Sequence, residues 1–145
     1  MPGLTGGLGG AARTTSLRAH FGTNHHANAL ATMYFALFRG YPGQGGSEPV
    51  IGTGGYARVA LANTDASWGT ISTGQFTISN AVAIVWPVTT ALYSVTVPMD
   101  FWAVLDAASA GNLWYYGPLT TPIQVTAVGD TPRIPAGALS MTVPE

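Results

Sequence analysis

Short apolar and aromatic runs alternate along the chain with loops rich in glycine and proline. Runs of this length, bounded by turn residues, predict β-strands. Only residues 16–22 carry helix signals, with Ser16 as a possible N-cap and Gly22 as a stop. The strands are predicted at 31–38, 56–62, 70–79, 81–87, 92–106 with a break at Pro98, 112–120, 123–128 and 138–143.

About eight or nine short strands and at most one short helix predict an all-β fold. Their near-regular spacing is typical of an antiparallel β-sandwich or a jelly-roll-like barrel. We predict a single β domain over residues 31–145, preceded by an N-terminal arm over 1–30. The first sixteen residues of this arm are rich in glycine and have few side chains to pack. Such an arm becomes ordered most simply on a neighbouring subunit, through Leu4, Leu8, Arg13 and Arg18.

Three stretches carry a more specific prediction. The apolar run 81–87 suits a strand buried on both faces. Residues 39–55 form a long Gly- and Pro-rich loop, a length at which loops often form interaction surfaces; Tyr41, Glu48 and Arg58 are its candidate contacts. In the hairpin 101–117, both faces of the two strands are apolar or aromatic. Its Trp102, Trp114 and Tyr116 either fill a core and a subunit interface or form a platform on which sugar rings stack.

Charged residues are scarce, at 8% of the chain against about 25% in an ordinary soluble domain. Lysine is missing altogether, and the formal net charge is −1. So few charges suggest that partner subunits cover much of the surface. The chain has no basic stripe for nucleic acid and no apolar run of the length that spans a membrane. It also has no cysteine, which excludes disulfides and thiolate metal sites.

Residues for catalysis or for cofactor binding do not form a recognisable pattern. The histidines are His20, His25 and His26, and no carboxylate lies at short ligand spacing from them. Asp100 and Asp106 lie on one predicted strand, roughly 20 Å apart by strand rise, which is too far for a glycosidase pair. Asp106 is better placed to cap the turn at 107–111. We therefore expect no enzyme activity, no metal and no cofactor.

Several motifs together resemble a known group of proteins. They are "MYFALFRG", "GGYARVAL", "ISNAVAIVWP" and the long stretch that begins "FWAVLDAASAGNLWYYGPLTT" and ends "PAGALSMTV". Across about residues 31–143 the chain resembles the small β-rich virion proteins of tailed bacteriophages, which are labelled tail-fibre-like or head decoration proteins. The turn "DAASAGN" and the segment "LWYYG" depart from the family pattern.

This resemblance implies a structural virion protein without catalytic activity. The first hypothesis is a capsid decoration, or cement, protein on the head surface, forming a homo-oligomer, most simply a trimer. Its partner would be the major capsid protein, with the arm running along the shell. The alternative is a tail-fibre or adsorption module that binds a host glycan through Trp114, Tyr116 and the loop 39–55.

Overall fold

A computed structural model describes residues 18–23, 29–72, 74–93 and 97–143 of the chain. After residue 30 these form eight strands, a 3-10 turn at Thr53–Gly55 and a one-turn helix: β1 (Thr32–Phe38), β2 (Val59–Ala62), α1 (Asp65–Trp68), β3 (Thr77–Ser79), β4 (Ile84–Val85), β5 (Met99–Leu105), β6 (Leu113–Ile123), β7 (Arg133–Ile134) and β8 (Ser140–Thr142). All strand pairs are antiparallel. The predicted all-β class is confirmed. Within the described residues, no helix has the length and apolar character needed to cross a membrane.

The chain divides into two compact units. Of the described residues, the larger unit contains those within Ala31–Ala62 and Ala83–Pro135, and the smaller contains those up to Leu30, within Asn63–Val82 and from Ala136 onward. The boundary that the sequence suggests, an arm over 1–30 and one β domain over 31–145, stays a prediction. The candidate arm residues Leu4, Leu8 and Arg13 lie outside the described residues.

The larger unit is built on a four-stranded sheet in the order β2-β1-β5-β6. Strands β1 and β5 lie in the centre and pair from Tyr34 opposite Leu105 to Phe38 opposite Phe101. One face of β1 presents Met33, Phe35 and Leu37, all fully buried. Alternation along a strand sends successive side chains to opposite faces, so these three form one side of the core. Strand β6 is an edge of the sheet.

A β-bulge changes the face that β6 presents near its start. Tyr115 lies opposite Val104, whereas Leu113 lies opposite Leu105, so two steps on β6 match one step on β5. Trp114 is the extra residue, as in other bulges where two residues oppose one. Paired side chains share a face, so Leu113 lies on the side of Leu105 and Tyr116, not on the side of Tyr115. Simple alternation predicts the opposite for Leu113.

The ribbon of β4 and β7 corrects one prediction. Ile84 pairs with Ile134, and Val85 pairs with Arg133. Ile84 and Trp86 are buried, but Val85 between them is 46% exposed. The run 81–87 is therefore buried on one face only, because a two-stranded ribbon here covers just the side that points into the unit.

The smaller unit pairs β3 with β8 and contains α1. This helical turn lies between the strands predicted at 56–62 and 70–79. Asn63, which precedes α1, ties it to residues 20–30: its Oδ1 accepts a hydrogen bond from Gly22 N at 3.0 Å, and its Nδ2 donates to the carbonyls of His20 and Leu30. Residues 18–20 are helical, in agreement with the helix predicted for 16–22, whose Ser16 lies outside the described residues.

Most of the other strands are shorter than the ranges predicted for them. Among the described residues of 56–62 and 70–79, only Val59–Ala62 and Thr77–Ser79 form strands. Conversely, β6 continues to Ile123, and 124–128 is not a strand. The turn at 107–111 is confirmed, with Ala110 and Gly111 both at positive φ.

Candidate interaction surface

Aromatic side chains from three segments meet on β5 and β6. The ring of Tyr41 lies 5.1 Å from that of Phe101 and 5.2 Å from that of Tyr116, measured between centroids. Tyr41 and Tyr116 are 45% and 41% exposed, and Trp114, two residues before Tyr116, is 39% exposed. We call Tyr41, Phe101 and Tyr116 the aromatic patch. Edge-to-face contacts such as that of Tyr41 with Tyr116 are the favoured geometry for aromatic pairs.

The loop that carries Tyr41 is held in place by backbone hydrogen bonds. Arg39 and Ser47 exchange two of them, each at 2.9 Å. Asp100 Oδ1 accepts a hydrogen bond from Gly40 N at 2.7 Å, which ties the loop to β5 directly before Phe101. The carbonyl of Tyr41 accepts hydrogen bonds from Gln44 and Gly46. Tyr41 is therefore presented by a fixed turn.

The contact of Tyr41 with Tyr116 also affects the phenol group of Tyr116. A hydrogen bond with Tyr41 raises the pKa of Tyr116 above its ordinary value. Both rings thus keep their orientation while one side of each faces solvent. A surface organised in this way loses little conformational entropy when it binds a flat partner.

Asp106 closes the hairpin between β5 and β6. Its Oδ1 accepts a hydrogen bond from Asn112 N at 2.7 Å, and its Oδ2 accepts one from Asn112 Nδ2 at 2.9 Å. The indole Nε1 of Trp114 donates weakly to Oδ2 at 3.4 Å. The Asn112 hydrogen bonds hold the pKa of Asp106 below its usual value, because they favour the ionised carboxylate. The predicted capping role of Asp106 is confirmed.

A largely buried ion pair supports the loops around the patch. Glu48 accepts hydrogen bonds from Arg58 Nε at 2.9 Å and Nη2 at 2.7 Å. Arg58 Nη1 donates to the carbonyls of Ala107 and Ala110, both at 2.7 Å. The hydrogen bond with Glu48 raises the pKa of Arg58. One guanidinium thus joins the loop 39–55 to the β5–β6 turn.

Tyr56 completes this network from the core side. Its hydroxyl accepts a hydrogen bond from Leu37 N at 3.0 Å and donates to Glu48 Oε1 at 2.9 Å. The ladder between β1 and β2 reaches only Phe35 opposite Val59, so the phenol takes the place of a strand partner for Leu37. Burial, and then the negative charge of Glu48, raise the pKa of Tyr56 well above its ordinary range.

These contacts stabilise loops and present aromatic rings; they do not assemble reactive groups. Within the described residues, no group of three His, Asp or Glu side chains is placed to hold a metal ion. Comparison of the sequence with protein-family models gives a match to "Podophage GP4 fiber I protein gp80" over residues 12–142. The chain belongs to this family. The search of curated proteins gave no match.

Membership of the gp80 family confirms the resemblance to structural proteins of tailed-phage virions. The matched range includes both the aromatic patch and the Arg58–Glu48 pair. The family description names a fibre protein, which agrees better with the tail-fibre alternative than with head decoration.

The structure distributes the predicted site residues of this gp80-family chain among different roles. Tyr41 and Tyr116 contact each other in the exposed patch, whereas Trp114 is exposed at the bulge beside Asp106. Trp102 is only 6% exposed and packs over Gly117, so it offers no face to a ligand. Glu48 and Arg58 bind each other, and Arg18 donates to the carbonyl of Ile71 at 3.0 Å. Phe101 was not predicted as a site residue, because its contact with Tyr41 joins segments sixty residues apart.

Proposed function

We propose that the chain is a structural, non-enzymatic subunit of a phage fibre attached to the tail. The observation that carries this proposal is the family match, which extends over nearly the whole chain. The printed family description refers to a podophage fibre protein, and we transfer that role to this chain. Head decoration, our first hypothesis from the sequence, has less support.

The carboxylates of the described residues favour a structural role. Glu48 binds Arg58, and Asp106 caps the hairpin turn. Asp65 accepts a hydrogen bond from Thr23 N, and Asp100 accepts one from Gly40 N. Asp130 Oδ2 accepts hydrogen bonds from the amides of Thr126 and Ala127. The four aspartates bind backbone amides and Glu48 binds two side chains, so each acid fixes local structure, whereas catalytic acids and bases need an oxygen aimed at a substrate.

We extend the proposal to self-association. A chain with 8% charged residues and several exposed aliphatic side chains is poorly protected against association as a free monomer. Closed homo-oligomers are the common way to cover such surface. Light scattering after size-exclusion chromatography tests this part: the expected mass is a multiple of 14.9 kDa, and a monomer at high concentration would contradict it. The trimer suggested by the sequence is one such multiple.

Removing the gene from the phage genome tests the structural role. We expect particles with filled, intact heads that lack a fibre in negative-stain images, and we expect the fibre to return when the chain is supplied in trans. Heads that lose surface density or burst, with all fibres retained, would instead support decoration. Unchanged particles would contradict both.

A further inference from the structure

The contact between Tyr41 and Tyr116 brings two oxidisable phenols together at the surface. Their ring centroids are 5.2 Å apart at an interplanar angle of 67°, an edge-to-face geometry in which carbons of one ring touch the other. The two residues are 45% and 41% exposed. Tyr41 belongs to the loop 39–55 and Tyr116 to strand β6, so a covalent bond between them would be a long-range cross-link.

Burial separates this pair from a second pair of tyrosines in contact. Tyr56 and Tyr93 have nearly the same geometry, with ring centroids 5.4 Å apart at an interplanar angle of 66°. Their exposed fractions are only 1% and 8%, so a dissolved oxidant cannot reach these rings. Of the two pairs, the one at the surface combines proximity with access to solvent.

The loop that carries Tyr41 is fixed beside β6. Asp100 accepts the hydrogen bond from Gly40 N, and Arg39 and Ser47 bridge the base of the loop. The phenol of Tyr41 is therefore held against that of Tyr116 before any reaction takes place. Two reacting groups held in contact couple in an intramolecular step, which is strongly favoured over an encounter between separate molecules.

The residues that form the usual protein cross-links are missing from the chain. It contains no cysteine for a disulfide and no lysine for an isopeptide bond. A bond between residues far apart in sequence restricts the unfolded chain and stabilises the folded one. In this chain, tyrosine is the residue type that can supply such a bond.

From this geometry we propose that Tyr41 and Tyr116 are a site of oxidative cross-linking, at which a peroxide-dependent one-electron oxidant converts the pair into dityrosine. Each phenol gives one electron and its hydroxyl proton to the oxidant, which leaves two phenoxyl radicals. The radicals couple through the ring carbons next to the hydroxyl-bearing carbons. Each coupled carbon then loses its proton and each oxygen regains one. One C–C bond forms, two hydrogen atoms leave the protein, and one hydrogen peroxide is reduced to two water molecules.

Treatment of the purified full-length chain with a peroxidase and hydrogen peroxide tests the proposal. We expect dityrosine fluorescence in the band of a single chain, 14.9 kDa, on a denaturing gel, and an intact mass lower by two hydrogen atoms. Tyr41→Phe and Tyr116→Phe keep the rings but remove the hydroxyls, and each should abolish the product. Tyr93→Phe, which removes a hydroxyl of the buried pair, is the matched control and should leave the yield unchanged.

Trypsin digestion followed by mass spectrometry locates the bond. Because the chain has no lysine, cleavage after arginine releases the peptides 40–58 and 59–133. The cross-link should join these two peptides in wild type. Tyr56 and Tyr93 lie in the same two peptides, so the phenylalanine variants decide which pair has reacted.

Four results would overturn the proposal. They are no dityrosine in the single-chain band, a product that survives Tyr41→Phe or Tyr116→Phe, a product that is lost in Tyr93→Phe, and dityrosine confined to bands of two or more chains. The last would place the coupling between copies of the chain. The reaction is a property of the chain itself and does not depend on the fibre role, so failure here is distinguishable from failure of the fibre assignment.

Discussion

Glu48 and Arg58 face each other in a bidentate pair, with Oε1 to Nε at 2.9 Å and Oε2 to Nη2 at 2.7 Å. The third guanidinium nitrogen binds the carbonyls of Ala107 and Ala110. Planar, forked recognition of this kind is specific to arginine. The pair therefore joins the two loops that flank the aromatic patch.

Removing Arg58 should destabilise the chain strongly. Arg58→Leu leaves Glu48 and two carbonyls without their donor in a largely buried site, so we expect the free energy of unfolding to fall by about 2–4 kcal/mol. Arg58→Lys should fall between this variant and wild type, since lysine cannot form the fork. Urea unfolding measures both. The control is Arg133→Lys at an exposed position on β7, which should change the free energy of unfolding by no more than about 0.5 kcal/mol. Equal stability of Arg58→Leu and wild type would contradict the account.

Tyr56→Phe isolates the hydroxyl that replaces a strand partner. Near neutral pH the free energy of unfolding of the variant should be about 1–3 kcal/mol lower than that of wild type, because the Leu37 amide is left buried without an acceptor. The pKa of Tyr56 is raised in the folded state, so its stabilising effect is present below the unfolded value of about 10 and is lost as pH rises above it. The difference between wild type and variant should therefore narrow between about pH 9 and 11. Tyr34→Phe on β1 is the control, and a pH-independent difference for Tyr56→Phe would contradict this interpretation.

Asp106→Asn should remove a contribution to the free energy of unfolding that wild type loses in acid. Hydrogen bonds from Asn112 lower the pKa of Asp106 in the folded state. Its contribution is therefore present above the unfolded value of about 3.9 and is lost as pH falls through the folded pKa. Urea unfolding of wild type and variant from about pH 6 to 2 measures the difference between their free energies of unfolding. This difference should be largest near pH 6 and should disappear near pH 2. A difference that grows on acidification would reverse the assigned sign.

Gly117→Ala tests the close approach of Trp102 to β6. A Cβ at this glycine would lie 2.8 Å from the indole, so the ring must move. We expect overpacking to lower the free energy of unfolding by about 1–3 kcal/mol. Trp102→Phe makes room, and the double variant should be more stable than the sum of the two single effects predicts. Thr120→Ala, at an exposed position of the same strand, is the control. Strict additivity of the two changes would show that the contact is absent.

The central strands were predictable because their signal is local. Alternating side chains in 31–38 and 101–105 give β1 and most of β5 directly, and the turn at 107–111 follows from its residues and from Asp106. The bulge at Trp114 was not predictable in the same way, since it depends on the register between β5 and β6. Val85 was predicted as buried because an apolar run alone does not reveal how many neighbours a strand has.

The aromatic patch was predictable only in part. Trp114 and Tyr116 stand out as part of an aromatic run, and Tyr41 by its place in a long loop, but the sequence leaves open whether the two strand residues are buried or exposed. The contact of Tyr41 with Tyr116 depends on the hydrogen bond of Asp100 with Gly40, which joins residues sixty positions apart. Trp102 has the same composition signal as Trp114, but it is buried because Gly117 leaves space for its indole.

Gold-labelled antibody against the purified chain, applied to intact virions and imaged by electron microscopy, tests the central claim most directly. The fibre assignment predicts gold on fibres at the tail, with heads unlabelled and with no label on particles that lack the gene. Gold spread over the head surface, with bare tails, would contradict it and would restore decoration as the leading explanation.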